Sequence, residues 1–193
     1  MEFETDRLLI KHGQISDYVK VHEYDFNYLQ GTQDIFKYVK RDPNEVISWF
    51  KNYNSMEEYY DSLEKEKTYE FLLYLKDSNE PIGEISFDRF NEKLKSLEIA
   101  CWIHPKFWGK GYAKEAIIVL MNYIYSLGYD NIVYSYDEGN ERSKKLSDKI
   151  GFNKLNTIDT YNYFGEVKKY INVMSKDDYK NRNLLKENHE SKK

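Results

Sequence analysis

Residues 102–116 read WIHPKFWGKGYAKEA, and this segment says more about the architecture than any other part of the chain. A β-prone apolar run leads into a loop with Gly109 and Gly111, and the loop leads directly into a helical pattern. The first turn of a helix has N–H groups without helical partners at the positive end of the helix dipole. Two glycines let the backbone approach a bulky anion, and Ala113 keeps that turn free of a large side chain. The segment therefore predicts a phosphate-binding loop at a helix N-terminus.

Two widespread phosphate-binding patterns do not fit this loop. The dinucleotide fingerprint needs glycine or alanine three positions after its second glycine, where this chain has Lys114. The Walker pattern needs Ser or Thr after Gly-Lys, whereas Gly111 follows Lys110 here. Glycine pairs are also common in ordinary turns, so a purely structural turn remains the alternative at this level.

The helix that follows the loop has the clearest periodicity in the chain. Its apolar residues recur every three or four positions and form one continuous stripe: Ala113, Ala116, Ile117, Leu120, Met121, Ile124 and Leu127. Gly128 is placed to end this helix. Downstream, the patterns predict a strand over 132–137, a helix over 140–150 that ends at Gly151, and two strands over 153–163 and 166–174.

Upstream of the loop, the patterns over 68–76, 82–90 and 97–103 predict three strands with short connections, which is typical of an antiparallel meander. The N-terminal part is predicted to hold one strand and three helices. These are a strand over 7–12, a helix from a Ser16 cap to about Leu29 that stops at Gly31, a helix over 44–52 opened by Pro43, and a helix after a Ser55–Glu58 capping box.

The order of these elements predicts an α+β fold. The strand–helix–strand unit over 97–137 places two strands parallel with a right-handed crossover, while the other neighbours are antiparallel. We therefore expect a single domain over residues 1–175, with a central mixed, mostly antiparallel sheet flanked by helices. Residues 176–193 are polar and are expected to form a flexible tail.

Composition narrows the classes of protein that fit. The net charge is -4 with interspersed signs, so no nucleic-acid partner is expected. The single cysteine, Cys101, excludes an intramolecular disulfide and a thiolate zinc cluster. The N-terminus lacks an apolar core for a signal peptide, and no apolar run reaches the length of a membrane span. We expect a cytoplasmic protein without a metal ion and without a membrane partner.

The run Trp108–Ala116 resembles the pyrophosphate-loop motif of the GNAT superfamily of N-acetyltransferases, and in particular the branch with the bacterial ribosomal-protein N-terminal acetyltransferases. Four further segments occur in the family's order. Residues 4–10 are similar to that branch's first strand, Pro81–Gly83 to the strand two before the loop, 97–105 to the strand before it, and Asn140–Phe152 to the next helix. The resemblance covers roughly residues 4–175.

The resemblance implies acetyl-CoA as the acetyl donor. Backbone N–H groups of the loop would bind its pyrophosphate, and the loop residues are Trp108, Gly109, Lys110, Gly111, Tyr112 and Ala113. Trp102 and Ile103 would pair with the pantetheine arm, with the thioester carbonyl near the Ile103 backbone. The strands over 97–103 and 132–137 would separate at the thioester.

The same resemblance gives Asn140, Ser143 and Lys149 as polar contacts to the cofactor. A plain helix N-cap at Asn140, an exposed helical serine and a solvated lysine are the structural alternatives. Direct transfer needs a deprotonated amine, a polarised carbonyl and a protonated leaving thiolate. Many family members carry a tyrosine for the last step, and this chain has Ser147 there. Tyr134 and Tyr136 lie on the following strand.

Glu98 is the carboxylate expected to act as general base, because it lies on the strand that leads to the thioester. The alternative is a structural glutamate paired with a lysine such as Lys93 or Lys95. Glu84, on the neighbouring strand, is a second candidate base. A loop histidine such as His104 is more often structural, and Cys101 is expected to be a buried, inert thiol.

The acceptor pocket of the family is formed by the N-terminal helices and the late hairpin, here residues 16–66 and 153–174. Aromatic walls with carboxylates there would suit a cationic amine, although core packing explains many of the same residues. The aromatic residues are Tyr24, Phe26, Tyr28, Phe36, Tyr38, Trp49, Phe50, Tyr53, Tyr59, Tyr60, Tyr161, Tyr163 and Phe164. The acidic residues are Asp25, Asp34, Glu57, Glu58, Asp61 and Asp159.

Three functional hypotheses follow. The first is an enzyme that acetylates the amine of a protein N-terminus or a small molecule. The second is a non-catalytic acyl-CoA-binding or regulatory module on the same fold, which the serine at position 147 favours. The third is an unrelated anion-binding or structural domain without affinity for CoA. A homodimer is a further possible partner state, since exposed aromatic strands in this family often pair.

Overall fold

In the computed structural model of the chain, residues 1–23, 43–91, 93–162 and 165–182 are described. They contain eight strands and six helices. The strands are β1 (Glu2–Glu4), β2 (Leu8–Lys11), β3 (Tyr69–Leu75), β4 (Pro81–Asn91), β5 (Ser96–Ile103), β6 (Asn131–Asp137), β7 (Asn153–Asn162) and β8 (Gly165–Ser175). The helices are α1 (Ile15–His22), α2 (Pro43–Ser48), α3 (Met56–Lys65), α4 (Tyr112–Ser126), α5 (Glu141–Ile150) and α6 (Lys176–Asn181).

The strands form one mixed sheet in the order β1-β2-β3-β4-β5-β6-β8-β7. Strands β1 to β4 are antiparallel neighbours, with Leu8 opposite Leu75 and Leu72 opposite Glu84. Strand β5 is parallel to β6, and β6, β8 and β7 are antiparallel again. The predicted α+β class and the mixed, mostly antiparallel sheet are therefore confirmed.

The chain packs as two compact units. The first holds the described residues up to Asp88 together with Cys101–Leu120, and the second holds the described residues of Arg89–Ala100 and those from Met121 onward. In the first unit, α1, α2 and α3 bury one core with the sheet. Its fully or nearly buried members are Tyr18, Val21, Val46, Phe50, Tyr60, Leu72 and Tyr74.

The N-terminal elements differ from the sequence prediction in three ways. Strand β1 was not predicted; three residues give too short a pattern to recognise, and pairing with β2 creates the strand. Helix α1 begins after a Gln14 N-cap, not after Ser16, and the Asp17 carboxylate accepts a hydrogen bond from the Gln14 amide. It ends at His22, and the predicted extension to Leu29 and Gly31 falls outside the described residues.

Helix caps explain most of the other boundaries. Ser55 accepts a hydrogen bond from the Glu58 amide and starts α3, as predicted. Asn140 does the same for α5 through the Ser143 amide, and Gly151 ends that helix. Helix α2 is shorter than predicted: it stops at Ser48, whose hydroxyl donates to the Glu45 carbonyl.

The polar tail prediction was wrong for its first residues, because Lys176–Asn181 form α6. Ser175 caps this helix by accepting from the Asp178 amide. Tyr179 is only 2% exposed; its ring packs on Tyr125 and its hydroxyl donates to Asn122. One buried aromatic side chain thus ties a polar segment to the second unit, a signal too small to recognise in composition. Residues 183–193 lie outside the described part.

We predict that Tyr179→Ala destabilises the protein by about 3 kcal/mol, because it removes a buried ring and leaves a cavity. Tyr179→Phe should cost about 1 kcal/mol, the value of one hydrogen bond. Urea unfolding followed by circular dichroism measures both, with exposed Lys180→Ala as the control on the same helix. An unfolding midpoint for Tyr179→Ala equal to that of the control would show that α6 contributes nothing to stability.

Candidate functional site

The glycine loop lies in the first unit, between the end of β5 and the start of α4. A short 3-10 turn, Pro105–Phe107, follows the strand, and Trp108 ends that turn. The chain then passes through φ values of +77° at Gly109 and +84° at Gly111 before the helix begins at Tyr112. Only glycine adopts this left-handed region without cost, so both positions are conformational requirements of the loop.

The space around the two glycines is open. A Cβ atom at Gly109 would meet nothing within 4 Å, and one at Gly111 would meet only Nη2 of Arg7 at 3.6 Å. The described side chains therefore leave the backbone of this loop accessible to a ligand. The first helical hydrogen bond runs from the Glu115 amide to the Gly111 carbonyl, so the amides of the first turn precede the helical ladder. Accessible amides at the positive end of a helix suit an anionic ligand.

Arg7 holds this loop in place, which the sequence analysis did not predict. Its Nη1 donates to the Lys110 carbonyl at 2.9 Å, and its Nε and Nη2 donate to the Glu115 carboxylate at 2.8 and 2.5 Å. The guanidinium also lies 4.5 Å from the centre of the Tyr112 ring. Thr5 donates its hydroxyl hydrogen bond to Glu115 as well. The segment before β2 is thus bound to both the loop and the helix that follows it.

The lysines of the loop region have defined neighbours. The Lys110 ammonium lies 5.3 Å from the centre of the Phe107 ring, and that of Lys106 lies 3.2 Å from Oε1 of Glu80. Because Arg7 is paired with Glu115, it brings little net charge to the loop. The positive potential at the loop therefore comes from backbone amides and Lys110.

The end of β5 lies tightly against β4. The His104 amide donates to the Ile82 carbonyl, and a Cβ atom at Gly83 would come within 2.2 Å of the Trp102 carbonyl oxygen. The Ile103 carbonyl accepts a 2.6 Å hydrogen bond from the Trp108 indole. Trp102 and Ile103, predicted to pair with a pantetheine arm, are thus fixed on one side by β4 and at their end by the loop.

The remaining predicted site residues lie in the second unit. Glu98 accepts a hydrogen bond from the Ser135 hydroxyl, a contact that the sequence analysis did not predict. The parallel register of β5 with β6 runs from Ser96 to Glu98. Among the described residues, Ile99 and Ala100 are not in that register.

Helix α5 carries the other three candidates. Asn140 is the N-cap of the helix, which is the structural role considered from the sequence. The Ser143 amide donates to that cap, and Lys149 is exposed. Ser147, at the position of the family's tyrosine, is buried with 1% exposure. The predicted site residues therefore belong to two different units, and the contacts of each set are described within its own unit.

Two reactive-looking residues have structural roles. Burial, and secondarily the charge of Glu84, raises the pKa of the Cys101 thiol well above its usual value, so the thiol stays protonated and inert. Burial lowers the pKa of His104, whose Nδ1 accepts from the Lys106 amide while its Nε2 lies 3.1 Å from the Glu23 carbonyl. His104 therefore caps the turn after β5 as a neutral ring.

A second group of polar side chains lies on the helix-covered face of β3 and β4 in the first unit. Glu70 accepts hydrogen bonds from the hydroxyls of Tyr18 at 2.5 Å and Tyr59 at 3.1 Å. Nε2 of His22 lies 3.3 Å from Oε2 of Glu84. Glu84 was considered from the sequence, whereas Glu70 and the role of His22 were missed, because alternation along a strand does not say which face the helices cover.

Several residues that were predicted to line the acceptor pocket have structural roles instead. Phe50 and Tyr60 belong to the core, and Tyr161 is exposed on β7 with its hydroxyl bound to Glu166. Glu58 accepts hydrogen bonds from Asn54, so it serves to cap α3. The predicted pocket residues that lie outside the described part are Tyr24, Asp25, Phe26, Tyr28, Asp34, Phe36, Tyr38, Tyr163 and Phe164.

Comparison with known proteins identifies relatives. The acetyltransferase (GNAT) domain family matches residues 7–153, which is well over half of the chain. YoaA, an uncharacterized N-acetyltransferase of Bacillus subtilis (strain 168), is 27% identical over 168 residues, covering 83% of this chain and 87% of that protein. The family match confirms the resemblance inferred from the sequence.

Solved structures share the fold. The ribosomal-protein-S5-alanine acetyltransferase of Vibrio fischeri has a TM-score of 0.69 at 19% identity, covering 93% of this chain and 98% of that one. The microcin C7 self-immunity acetyltransferase MccE, solved with acetyl-CoA and AMP, has a TM-score of 0.69 at 15% identity, covering 88% and 93%. At these identities the likeness shows the fold alone.

Two kinds of feature are absent from the described ranges. No helix there has the length and apolar character needed to cross a membrane. No group of three or more His, Cys, Asp or Glu side chains in the same ranges could hold a metal ion.

We predict that Arg7→Ala loosens the glycine loop. Losing the guanidinium removes the bond to the Lys110 carbonyl and leaves Glu115 without its cation, so amide hydrogen exchange over 110–113 should accelerate by about two- to fivefold. Lys76→Ala, which breaks an exposed ion pair with Glu4, is the matched control. Unchanged exchange in Arg7→Ala would show that the loop keeps its shape without the arginine.

Proposed function

Since the chain belongs to the acetyltransferase (GNAT) domain family and is therefore an acetyltransferase, we propose that it moves the acetyl group of acetyl-CoA directly to a primary amine. The observation that carries this proposal is the loop at the start of α4. Its two left-handed glycines, open space and first-turn amides form a suitable cradle for a pyrophosphate.

The proposed cofactor site begins with that loop. Backbone amides over Trp108–Ala113 bind the pyrophosphate, and Lys110 adds a positive charge. The end of β5, at Trp102 and Ile103, receives the pantetheine arm as an additional strand. Asn140, Ser143 and Lys149 are the proposed polar contacts from α5. The acetyl-CoA complex of MccE supports this choice of donor through the shared fold.

The proposed reaction is a direct transfer. The nitrogen lone pair of the neutral amine attacks the thioester carbonyl, and a carbon–nitrogen bond forms. The tetrahedral intermediate then breaks its carbon–sulfur bond, so the products are an N-acetylated amine and CoA. A backbone dipole near Ile103 stabilises the developing oxyanion. No step of this scheme calls for a metal ion.

Departure of the thiolate requires a proton. Ser147 is both a weak acid and buried, so a proton from water completes the departure in our proposal. The two candidates for the general base are Glu98, from its place on β5, and Glu84 on the neighbouring strand β4. Comparing Glu98→Gln with Glu84→Gln in the same assay decides between them.

The acceptor is proposed to be the amine of a protein N-terminus or of a small molecule. The likeness to a ribosomal-protein-S5-alanine acetyltransferase favours the former, and the aromatic residues around Glu70 and Glu84 suit either kind of amine. A regulatory acyl-CoA-binding module, favoured only by Ser147, would bind the cofactor without transferring its acetyl group. A homodimer and a cytoplasmic location remain predictions, which light scattering and cell fractionation measure.

We predict that Gly111→Arg abolishes acetyl-CoA binding measured by calorimetry. An arginine at φ +84° is strained and fills the open approach to the loop, even though its charge would otherwise attract phosphate. Gly128→Arg is the matched control, because Gly128 has a similar φ of +92° and open space at the far end of α4. Equal binding by wild type and Gly111→Arg would contradict the proposed cradle. No binding by wild type would contradict the function.

A further inference from the structure

Three side chains of the first unit meet beside the end of β5, and we name them the Glu84 cluster: His22, Glu84 and Trp102. The Ile82–His104 hydrogen bond places Glu84 opposite Trp102, because antiparallel neighbours run in opposite directions along their ladder. Both side chains therefore lie on one face of the sheet. His22, in the last turn of α1, reaches this face with its Nε2 3.3 Å from Oε2 of Glu84.

The imidazole of His22 is held by aromatic rings. It lies parallel to the Trp102 indole, with 6.1 Å between centroids and 10° between planes. The edge of the Trp49 ring system faces it at 5.2 Å and 83°. This packing fixes the ring that holds Glu84.

The acids on this face have few basic partners among the described residues. Glu70 is the diagonal neighbour of Glu84 across β3 and β4, about 7–8 Å away in a regular sheet. Its hydrogen-bond partners are the hydroxyls of Tyr18 and Tyr59, and the only ion-pair partner of Glu84 in the described part of the chain is His22. Among the described residues, His22 is thus the one basic side chain that pairs with either of these two half-buried acids.

The local electrostatics agree with this shortage of positive charge. Burial raises the pKa of the Glu70 carboxyl, and the charge of Glu84 raises it further, although hydrogen bonds from Tyr18 and Tyr59 act in the opposite direction. A cationic ligand at Glu84 would relieve the repulsion between the two acids. Glu84 keeps 28% of its side chain exposed, so such a ligand can reach it.

We propose that the Glu84 cluster binds the ammonium group of the acceptor, that Glu84 takes its first proton, and that His22 is the positioning residue that aims Glu84. This inference rests on the proposed function, and it selects acceptors that are cationic when they arrive. Glu84 is favoured over Glu98 because its neighbour Gly83 lies directly against the backbone of Trp102 and Ile103, where the thioester is proposed to bind. Glu98, in contrast, is engaged by Ser135.

The proton and electron balance of the step is simple. The ammonium gives one proton to the Glu84 carboxylate, and the nitrogen lone pair so released attacks the thioester carbon. After the carbon–sulfur bond breaks, the sulfur keeps the bonding electron pair and takes a proton from water. The nitrogen loses its second proton to water. Overall, an alkylammonium and acetyl-CoA give an N-alkylacetamide, CoA and one proton.

A binding experiment tests the site without requiring turnover. Calorimetry with phenethylamine and with its neutral isostere phenethyl alcohol is carried out on the full chain, with and without CoA. We expect the wild type to prefer the amine, and Glu84→Gln to lose about 10- to 100-fold in amine affinity while alcohol and CoA binding stay unchanged. Glu2→Gln, which changes an exposed acid on β1 outside the proposed pocket, is the control and should bind like the wild type.

Variants at His22 test whether this residue orients Glu84 or only fills space beside it. Gln keeps an N–H donor for Glu84, so His22→Gln should retain amine affinity within about threefold, whereas His22→Ala should lose about tenfold. In a transfer assay, Glu84→Gln should lower kcat/KM by about 100-fold or more, the effect of losing a general base. Should Glu84→Gln fail to fold, Glu84→Asp keeps the charge, and its KM for the amine should rise less than its kcat falls.

Two results would overturn the inference. One is equal binding of amine and alcohol by the wild type, and the other is amine binding by Glu84→Gln at wild-type affinity. Failure of the proposed function looks different, because then the wild type binds no CoA in the same titrations. A loss of transfer in Glu98→Gln with full activity in Glu84→Gln would also overturn the inference while leaving the acetyltransferase activity intact.

Discussion

The left-handed backbone at Gly109 and Gly111 is the constraint on which the proposed site depends. A backbone segment that passes twice through this region needs contacts from other segments, because glycine has no side chain that could anchor it. Arg7 supplies that restraint by binding both the Lys110 carbonyl and the Glu115 carboxylate. The segment before β2 is therefore part of the loop's structure.

The first unit has two groups of charged side chains, and they differ in how far they are paired. Around the loop the ion pair is complete and partly exposed, with Arg7 47% exposed, so the cradle presents amide dipoles more than side-chain charge. On the helix-covered face, Glu70 and Glu84 sit among tyrosine and tryptophan rings with little cationic compensation in the described part. An anion-attracting loop and a cation-attracting face in one unit match the two reactants of acetyl transfer to an amine.

Much of this fold could be predicted because local patterns determine it. The stripe of α4, the Ser55 and Asn140 caps and the stop at Gly151 are short-range signals, and the structure has each of them, except that Leu127 at the end of the stripe lies beyond the helix and is exposed. The glycine loop was recognisable for the same reason. Strand β1 and helix α6 were not, since each depends on a partner far along the chain: β2 for one, and Tyr125 with Asn122 for the other.

The candidate site shows the same division. Arg7 with Glu115 and His22 with Glu84 are pairs between distant segments, and no periodicity in a single sequence marks such pairs. Ser135 as the partner of Glu98 was missed because parallel register, not proximity along the chain, brings them together. Sequence reasoning identified which residue types could do the chemistry, and packing decided which of them meet.

In the proposed function, the acetyl group passes directly from CoA to an amine. The most direct measurement follows free CoA thiol and N-acetylated product together, by thiol titration and mass spectrometry, over a panel of N-terminal peptides and small primary amines. We predict that one thiol is released for each amide formed, and that at least one cationic amine is a substrate. Thiol release without any amide, or cofactor binding with neither product, would contradict it.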